Sequence, residues 1–305
     1  MGVPSQGSQC TMYVEPGASP HTFDASSERY SFISCSLKKT GSYIDNNEHR
    51  GTRSHSKERI RAGTYSVAGD IVLHPGPVEL DRWLERILGT AESIDSFAFA
   101  ESLASFPFGV LVVRDFKTHE YKDCKVSRAV FESSDSGDGL LKLTLSIIGK
   151  SETTGTSAPS VAHPTASNYV PYCHYDCAGA VTLGGTVRDT KSIRITIDNH
   201  CEAYFNNSQT ADEIKETDRT VTVDWTGPYT ADEFDFYDHA VAGLSTNTVV
   251  YTQAAMALTF NFANLKAPTV SPDVSGKSEI TSSYSFVAYK SSTTENLVVT
   301  NDSTA

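Results

Sequence analysis

The side chains best suited to chemistry gather at Cys173-His174-Tyr175-Asp176-Cys177, with His200-Cys201 following. Thiols, imidazoles and a carboxylate of this kind are enough donors for a tetrahedral zinc. The C-x3-C spacing is weakly specific, however, and packed thiols beside a surface histidine account for the same residues. All six cysteines (Cys10, Cys35, Cys124, Cys173, Cys177, Cys201) are too sparse for a disulfide framework and are expected as thiols, most of them buried. From sequence, pairing or metal binding by Cys173, Cys177 and Cys201 stays open. The carboxylates Asp232, Glu233, Asp235 and Asp238 fit the solvated face of a helix, with Asp232 and Glu233 complementing its N-terminal dipole. His119 with Glu120 and His239 with Asp238 are neighbours in sequence only. There is no G-x-S-x-G elbow, phosphate-cradling glycine loop, H-E-x-x-H or EF-hand loop. No catalytic, cofactor or metal residue is assigned, and the expectation is a protein that is not an enzyme.

Whatever the chain does is therefore a matter of how its elements are built and what surfaces they present. Its 305 residues, 39% hydrophobic and 20% charged, suffice for two domains with cores. A formal charge of -12 gives no electrostatic affinity for phosphate backbones, which argues against a sequence-reading DNA binder. No apolar run approaches the ~18 residues of a membrane helix, and the N-terminal segment lacks a signal-peptide pattern, so synthesis in the cytoplasm is expected.

Period-2 alternation dominates. Leu141, Leu143, Leu145 and Ile147 face one way, with Lys142, Thr144 and Ser146 facing the other, and the pattern recurs at Ile193/Ile195/Ile197, Val221/Val223/Trp225, Met256/Leu258/Phe260/Phe262 and Tyr284/Phe286/Ala288. These predict half-buried antiparallel strands and a mainly β chain. Two segments read as helices. Pro77 opens the first, Leu80, Trp83, Leu84, Ile87 and Leu88 form its apolar stripe, and Gly89 stops it. In the second, Thr230 and Glu233 give a capping box, Phe234, Tyr237 and Val241 line one face, and Gly243 ends it.

Strand, loop, strand, Gly-Pro, helix and further strands occur twice, at an offset of about 150–160 residues. Ser31-Phe32-Ile33 corresponds to Ser192-Ile193-Arg194, Thr64 to Leu73 corresponds to Thr220 to Trp225, and Gly76-Pro77 to Gly227-Pro228. The expected division is a first unit over 1–150, a Ser/Thr/Pro/Gly linker or arm over 151–170 and a second unit over 171–305. Residues 161–305 hold 8 basic and 17 acidic side chains, so they carry -9 of the -12. The long loop at residues 40–63 is instead rich in cations: Arg50, Arg53, Lys57, Arg59 and Arg61 stand there with Asp45, Glu48 and Glu58. Such an excess of Arg suits pairing with carboxylates on another copy of an acidic protein.

From Gly51-Thr52-Arg53 through Arg59-Ile60-Arg61-Ala62-Gly63-Thr64-Tyr65 and Pro77-Val78-Glu79-Leu80-Asp81-Arg82-Trp83-Leu84 to Gly89, the sequence resembles the major tail tube proteins of long-tailed, siphovirus-type bacteriophages. The resemblance continues at Tyr121-Lys122-Asp123-Cys124-Lys125-Val126, Ile147-Ile148-Gly149-Lys150 and Ser192 to Asn199. It implies two tandem tail-tube-like β-sandwich units, each with a flanking helix, contributing strands to the β-barrel lumen of a ring. It also implies rings stacked into a virion tail tube through which double-stranded DNA leaves, assembly in the host cytoplasm, and terminator, tape measure and distal tail proteins as partners. Family rings need six units, so two units per chain lead to the expectation of a trimer mimicking a hexamer. The alternative is a true hexamer with the second half outside. Arg50, Arg53, Lys57, Arg59 and Arg61 are the expected contacts between rings, and acidic and small polar side chains are expected to line the lumen. No cofactor or membrane is implied. A carbohydrate-binding or adhesin-type β-sandwich is the rival reading.

Overall fold

The structure is a computed structural model and describes residues 7–45, 54, 57–162, 169–177, 179–230, 243–268, 279–292 and 294–303. Its first half runs β1 (Thr11–Pro16), β2 (Glu28–Tyr30), β3 (Ser34–Cys35), β4 (Lys38–Ile44) and β5 (Arg61–Leu73), then α1 (Pro77–Leu88). β6 (Ser96–Ala98), β7 (Phe108–Arg114), β8 (Lys117–Ser134), β9 (Lys142–Gly149) and β10 (Ser151–Thr154) follow. The second half opens with β11 (Val181–Leu183), β12 (Thr186–Val187), β13 (Ser192–Asp198), β14 (Cys201–Tyr204), β15 (Glu213–Glu216) and β16 (Thr220–Pro228). It closes with β17 (Asn247–Gln253), β18 (Met256–Phe262), β19 (Asn264–Lys266), β20 (Thr281–Tyr289) and β21 (Leu297–Asp302). The chain is mainly β, and every expected alternation forms a strand with its apolar side buried: Leu143, Leu145 and Ile147 are sealed under β9 while Lys142, Thr144 and Ser146 reach solvent.

The halves share a wiring pattern. In the first, β1 pairs with β2 and β7, β7 with β8, β8 with β10 and β9, and β5 with β9 and β4. In the second, β11 pairs with β12 and β17, β17 with β18, β18 with β21, β19 with β20, and β16 with β20 and β13. Each of these seven antiparallel pairings has its counterpart in the other half. The halves differ in the β3–β5 pair of the first, in the β14–β15 pair of the second, and in the β8 equivalent: β8 runs unbroken through both layers, whereas its counterpart is interrupted at Ala263 into β18 and β19.

One layer is a continuous sheet in the order β19-β20-β16-β13-β8-β9-β5-β4, to which both halves give four strands. The central joint is β8 against β13, with Arg128 to Ser134 opposite Asp198 to Ser192. Within one chain this sheet is open, with β4 and β19 at its edges. The outer layer comprises β2-β1-β7 on the N-terminal part of β8, and a second sheet, β12-β11-β17-β18-β21-β6, that takes its last strand from the first half. One hydrophobic core runs through both halves.

α1 forms where the apolar stripe predicts. Glu79 Oε2 accepts from the Gly76 N–H at 3.1 Å, and Gly89, at φ 76°, takes the left-handed conformation that ends the helix. Trp83 is fully buried against Tyr30 and edge-on to Phe108; truncating it to Ala would cost about 3–5 kcal/mol. Two buried asparagines of the second half hold the helix ends: Asn301 Nδ2 donates to Pro77 O at 2.7 Å, and Asn199 Nδ2 to Ile87 O at 3.0 Å.

Several elements differ from the sequence reading. β4 occupies the start of the expected long loop, leaving residues 45–60 as the connection, and all seven of its residues are exposed, so no alternation marks it. Ser31-Phe32-Ile33 lies outside any strand, because the pairing begins at Ser34. The expected linker opens with β10, paired to β8 through Ser151 to Thr154. The second expected helix, with Glu233, Phe234, Tyr237 and Val241, lies outside the described residues.

Candidate assembly surfaces

The exposed face of the continuous sheet presents ordered rows of side chains, because neighbouring strands in register put equivalent positions side by side. One row reads Lys142, Glu132, Arg194, Asp224, Ser285 across five strands. Lys142 Nζ meets Glu132 Oε1 at 2.7 Å, and Ser285 Oγ donates to Asp224 Oδ1 at 2.6 Å. A second row reads Asp70, Ser146, Arg128, Asp198, Thr220; Ser146 donates to Asp70 at 2.7 Å, and Arg128 stands 3.9 Å from Asp198. Between them run Val72, Thr144, Val130, Thr196, Thr222 and Val287. The two charged rows set four carboxylates against three cations, in a field otherwise made of hydroxyls and small aliphatic groups.

The joint between the halves is reinforced by the β14–β15 hairpin, which reaches from the second half over the first. Lys125 Nζ donates to Glu216 Oε1 at 2.7 Å and to Ile214 O at 2.8 Å. Burial opposes the Glu216 charge, but the Lys125 ammonium and backbone donors outweigh it and lower the carboxyl below its ordinary range. Cys201 and Ile214 pack on Leu103, with Ile148 against them. Gln209 Nε2 donates to Ala62 O at 2.9 Å, and Gln209 O accepts from the Tyr65 N–H at 3.0 Å.

Of the five expected ring-stacking residues, Lys57 and Arg59 form an exposed 3-10 turn and Arg61 opens β5, also exposed; Arg50 and Arg53 lie outside the described residues. The chemistry-bearing cluster is structural. His174 is buried, with Nδ1 3.0 Å from Ser133 Oγ and Nε2 3.0 Å from Thr190 O. Cys177 Sγ donates to His174 O at 2.9 Å, and no cysteine forms a disulfide. Among the described residues no three His, Cys, Asp or Glu side chains gather as a metal site requires. His119 pairs not with its neighbour Glu120 but with Glu152, at 2.7 Å, across β8 and β10.

Two surfaces were not legible beforehand. The open edge at β4 carries Tyr43 and Ile44, 73% and 62% exposed, and at the opposite side of the sheet Tyr289 is 49% exposed. Apolar groups this bare beside unpaired strand edges belong to association surfaces. The sequence signal was there in Tyr43-Ile44, but a solvated loop accounts equally well for it.

No curated protein matches the chain. A family profile described as phage tail tube protein matches residues 6–288, nearly the whole length, from β1 into β20. The open sheet, its bare edges and this match agree, and the chain belongs to the phage tail tube protein family.

Proposed function

We propose that three copies of this chain close a ring whose three eight-stranded sheets join edge to edge as one barrel, and that rings stack into the tube that carries double-stranded DNA out of the virion. Membership of the family makes the chain a structural component of the tail that associates with itself and with other tail proteins. The finer reading is carried by one observation: seven of the eight strand pairings of the first half recur in the second, and β8 joins β13 across the centre as two neighbouring ring units would. Residues 1–150 and 171–305 then act as two tube units joined through 151–170, with β10 completing the first. Ring closure removes the β4 and β19 edges, which gives a physical reason for the closed form.

Arg50, Arg53, Lys57, Arg59 and Arg61 contact carboxylates of the adjacent ring in this reading. Terminator, tape measure and distal tail proteins cap and fill the tube, and rings form in the host cytoplasm before virion assembly. Cryo-electron microscopy of assembled tubes tests the stoichiometry. Three chains around the lumen are expected; six chains, with residues 171–305 on the outside, would overturn it.

A further inference from the structure

The β14–β15 hairpin has a counterpart in the first half. It extends the β13–β16 pair beyond the core, just as the outer ends of β4 and β5 extend the strands equivalent to that pair. The surface that receives β14–β15 has a counterpart as well. Ile148, covered by Cys201 and Ile214, stands opposite Lys125 on the first rung of the β8–β9 ladder. Tyr289 stands opposite Asn264 on the matching rung of β19–β20. Tyr289 belongs to no apolar cluster among the described residues and is 49% exposed, and the Lys266 ammonium lies 5.8 Å from its ring centroid.

A single chain thus holds one docked hairpin and, in addition, one hairpin that Gln209 touches at Ala62 and Tyr65 but whose apolar side chains stay exposed, and one exposed receiving surface. That hairpin carries Tyr43, Ile44 and Ile60, and the receiving surface carries Tyr289. They lie near opposite edges of an eight-stranded sheet, with β20 and β4 six interstrand spacings of about 4.8 Å apart, so they do not meet in the same chain.

We propose that the base of the β4–β5 hairpin is a lateral clasp, which packs Tyr43, Ile44 and Ile60 over Tyr289 of a neighbouring copy in the same ring. The clasp rests on the tail tube reading and leaves the cationic connection beyond Ile44 to engage the next ring. It repeats between chains the grip that β14–β15 makes within one.

The test uses the full chain, followed by sedimentation velocity and negative-stain microscopy. Tyr43→Asp with Ile44→Asp, and separately Tyr289→Asp, should each leave single folded chains with unchanged thermal unfolding and no rings, where the unaltered chain gives rings and tubes. As a check independent of destabilisation, Ile44→Cys and Tyr289→Cys are treated with a short bismaleimide. New crosslinks should arise when both substitutions are present, in one chain or in a mixture of two single variants, and in neither variant alone. Rings formed by the Asp variants, with stacking alone lost, would overturn the clasp and leave the tail tube reading standing, as would absence of the crosslink in assembled rings. Failure of the unaltered chain to form any ring would instead defeat the proposed ring of three.

Discussion

Arg194, on the first inner strand of the second half, lies directly opposite Glu132 of the first half, and the same guanidinium is flanked on its other side by Asp224. Glu132 also holds Lys142, so the cations of this row sit among carboxylates before any ligand arrives. In the proposed ring this face lines the lumen, where it would offer sliding DNA few uncommitted positive charges, since each available Lys or Arg adds a phosphate contact. The sequence reading expected acidic and small polar groups to line the lumen; on this face the hydroxyls are present, but the charges are interleaved. Glu132→Gln with Asp224→Asn should leave rings intact and slow DNA release, and raising the salt should restore the rate. Equal release from the variant and the unaltered virion would show that this face does not meet DNA.

In the proposed tube, stacking rests on a different set of charges. One exposed ion pair contributes about 0–1 kcal/mol, but it recurs with every chain in the ring. Replacing Lys57, Arg59 and Arg61 together by Glu should therefore give rings that do not grow into tubes, visible as short discs by electron microscopy. Any one replacement should only shorten the tubes. Full-length tubes from the triple variant would remove these residues from the ring contact.

Glu28 ties β2 to α1. Its carboxylate takes Arg86 Nη2 at 3.1 Å and also meets Arg82 and the Tyr30 hydroxyl. Burial by itself would raise the carboxyl, but Arg86, Tyr30 and Arg82 together hold it below its ordinary 4.5. A carboxyl depressed in the folded state contributes stability that is present above pH 4.5 and lost as the pH falls through the folded value. Glu28→Gln should cost about 3 kcal/mol at neutral pH, because Arg86 stays buried without its charge partner. The gap to the unaltered chain, read from denaturant midpoints, should narrow below pH 4.5.

Thiol reactivity should divide by burial. Desolvation pushes Cys177 up to about 11 and Cys201 up to about 12, and it raises Cys124 further. Native protein at pH 8 should take alkylating reagent at the half-exposed Cys10 and Cys173, more slowly at Cys35, and at the other three only after unfolding. Peptide mass mapping reads the order. Rapid labelling of Cys177 would mean that the His174–Cys177 turn opens easily.

The elements that were readable are those with one wet and one dry side. Leu80, Trp83, Leu84, Ile87 and Leu88 write α1 in full, and β9, β13, β16, β18 and β20 announce themselves by alternation because each has a core behind it and solvent in front. β4 fails that condition, as it is wet on both sides in a single chain. β8 fails it differently: in passing from the outer layer to the inner one it shifts register between Val126 and Arg128, so one regular alternation does not run through its 18 residues. The repeat was visible as order, yet the strand equivalences within it depended on pairings that no local pattern contains. As for the surfaces, the cationic cluster was plain in sequence, whereas Tyr289 gained significance only from its rung beside Asn264.

The β8–β13 joint also bears on how assembly responds to dilution. In the proposed ring of three, both strands belong to one polypeptide, so that half of the ring's seams would form on folding, at an effective concentration set by the connecting chain and not by the number of molecules in solution. In a ring of three, only the β19-to-β4 seams remain bimolecular. Ring formation then follows roughly the third power of protein concentration, where six separate units would follow the sixth, so a tandem chain reaches its assembly threshold more gradually and holds rings together at lower abundance.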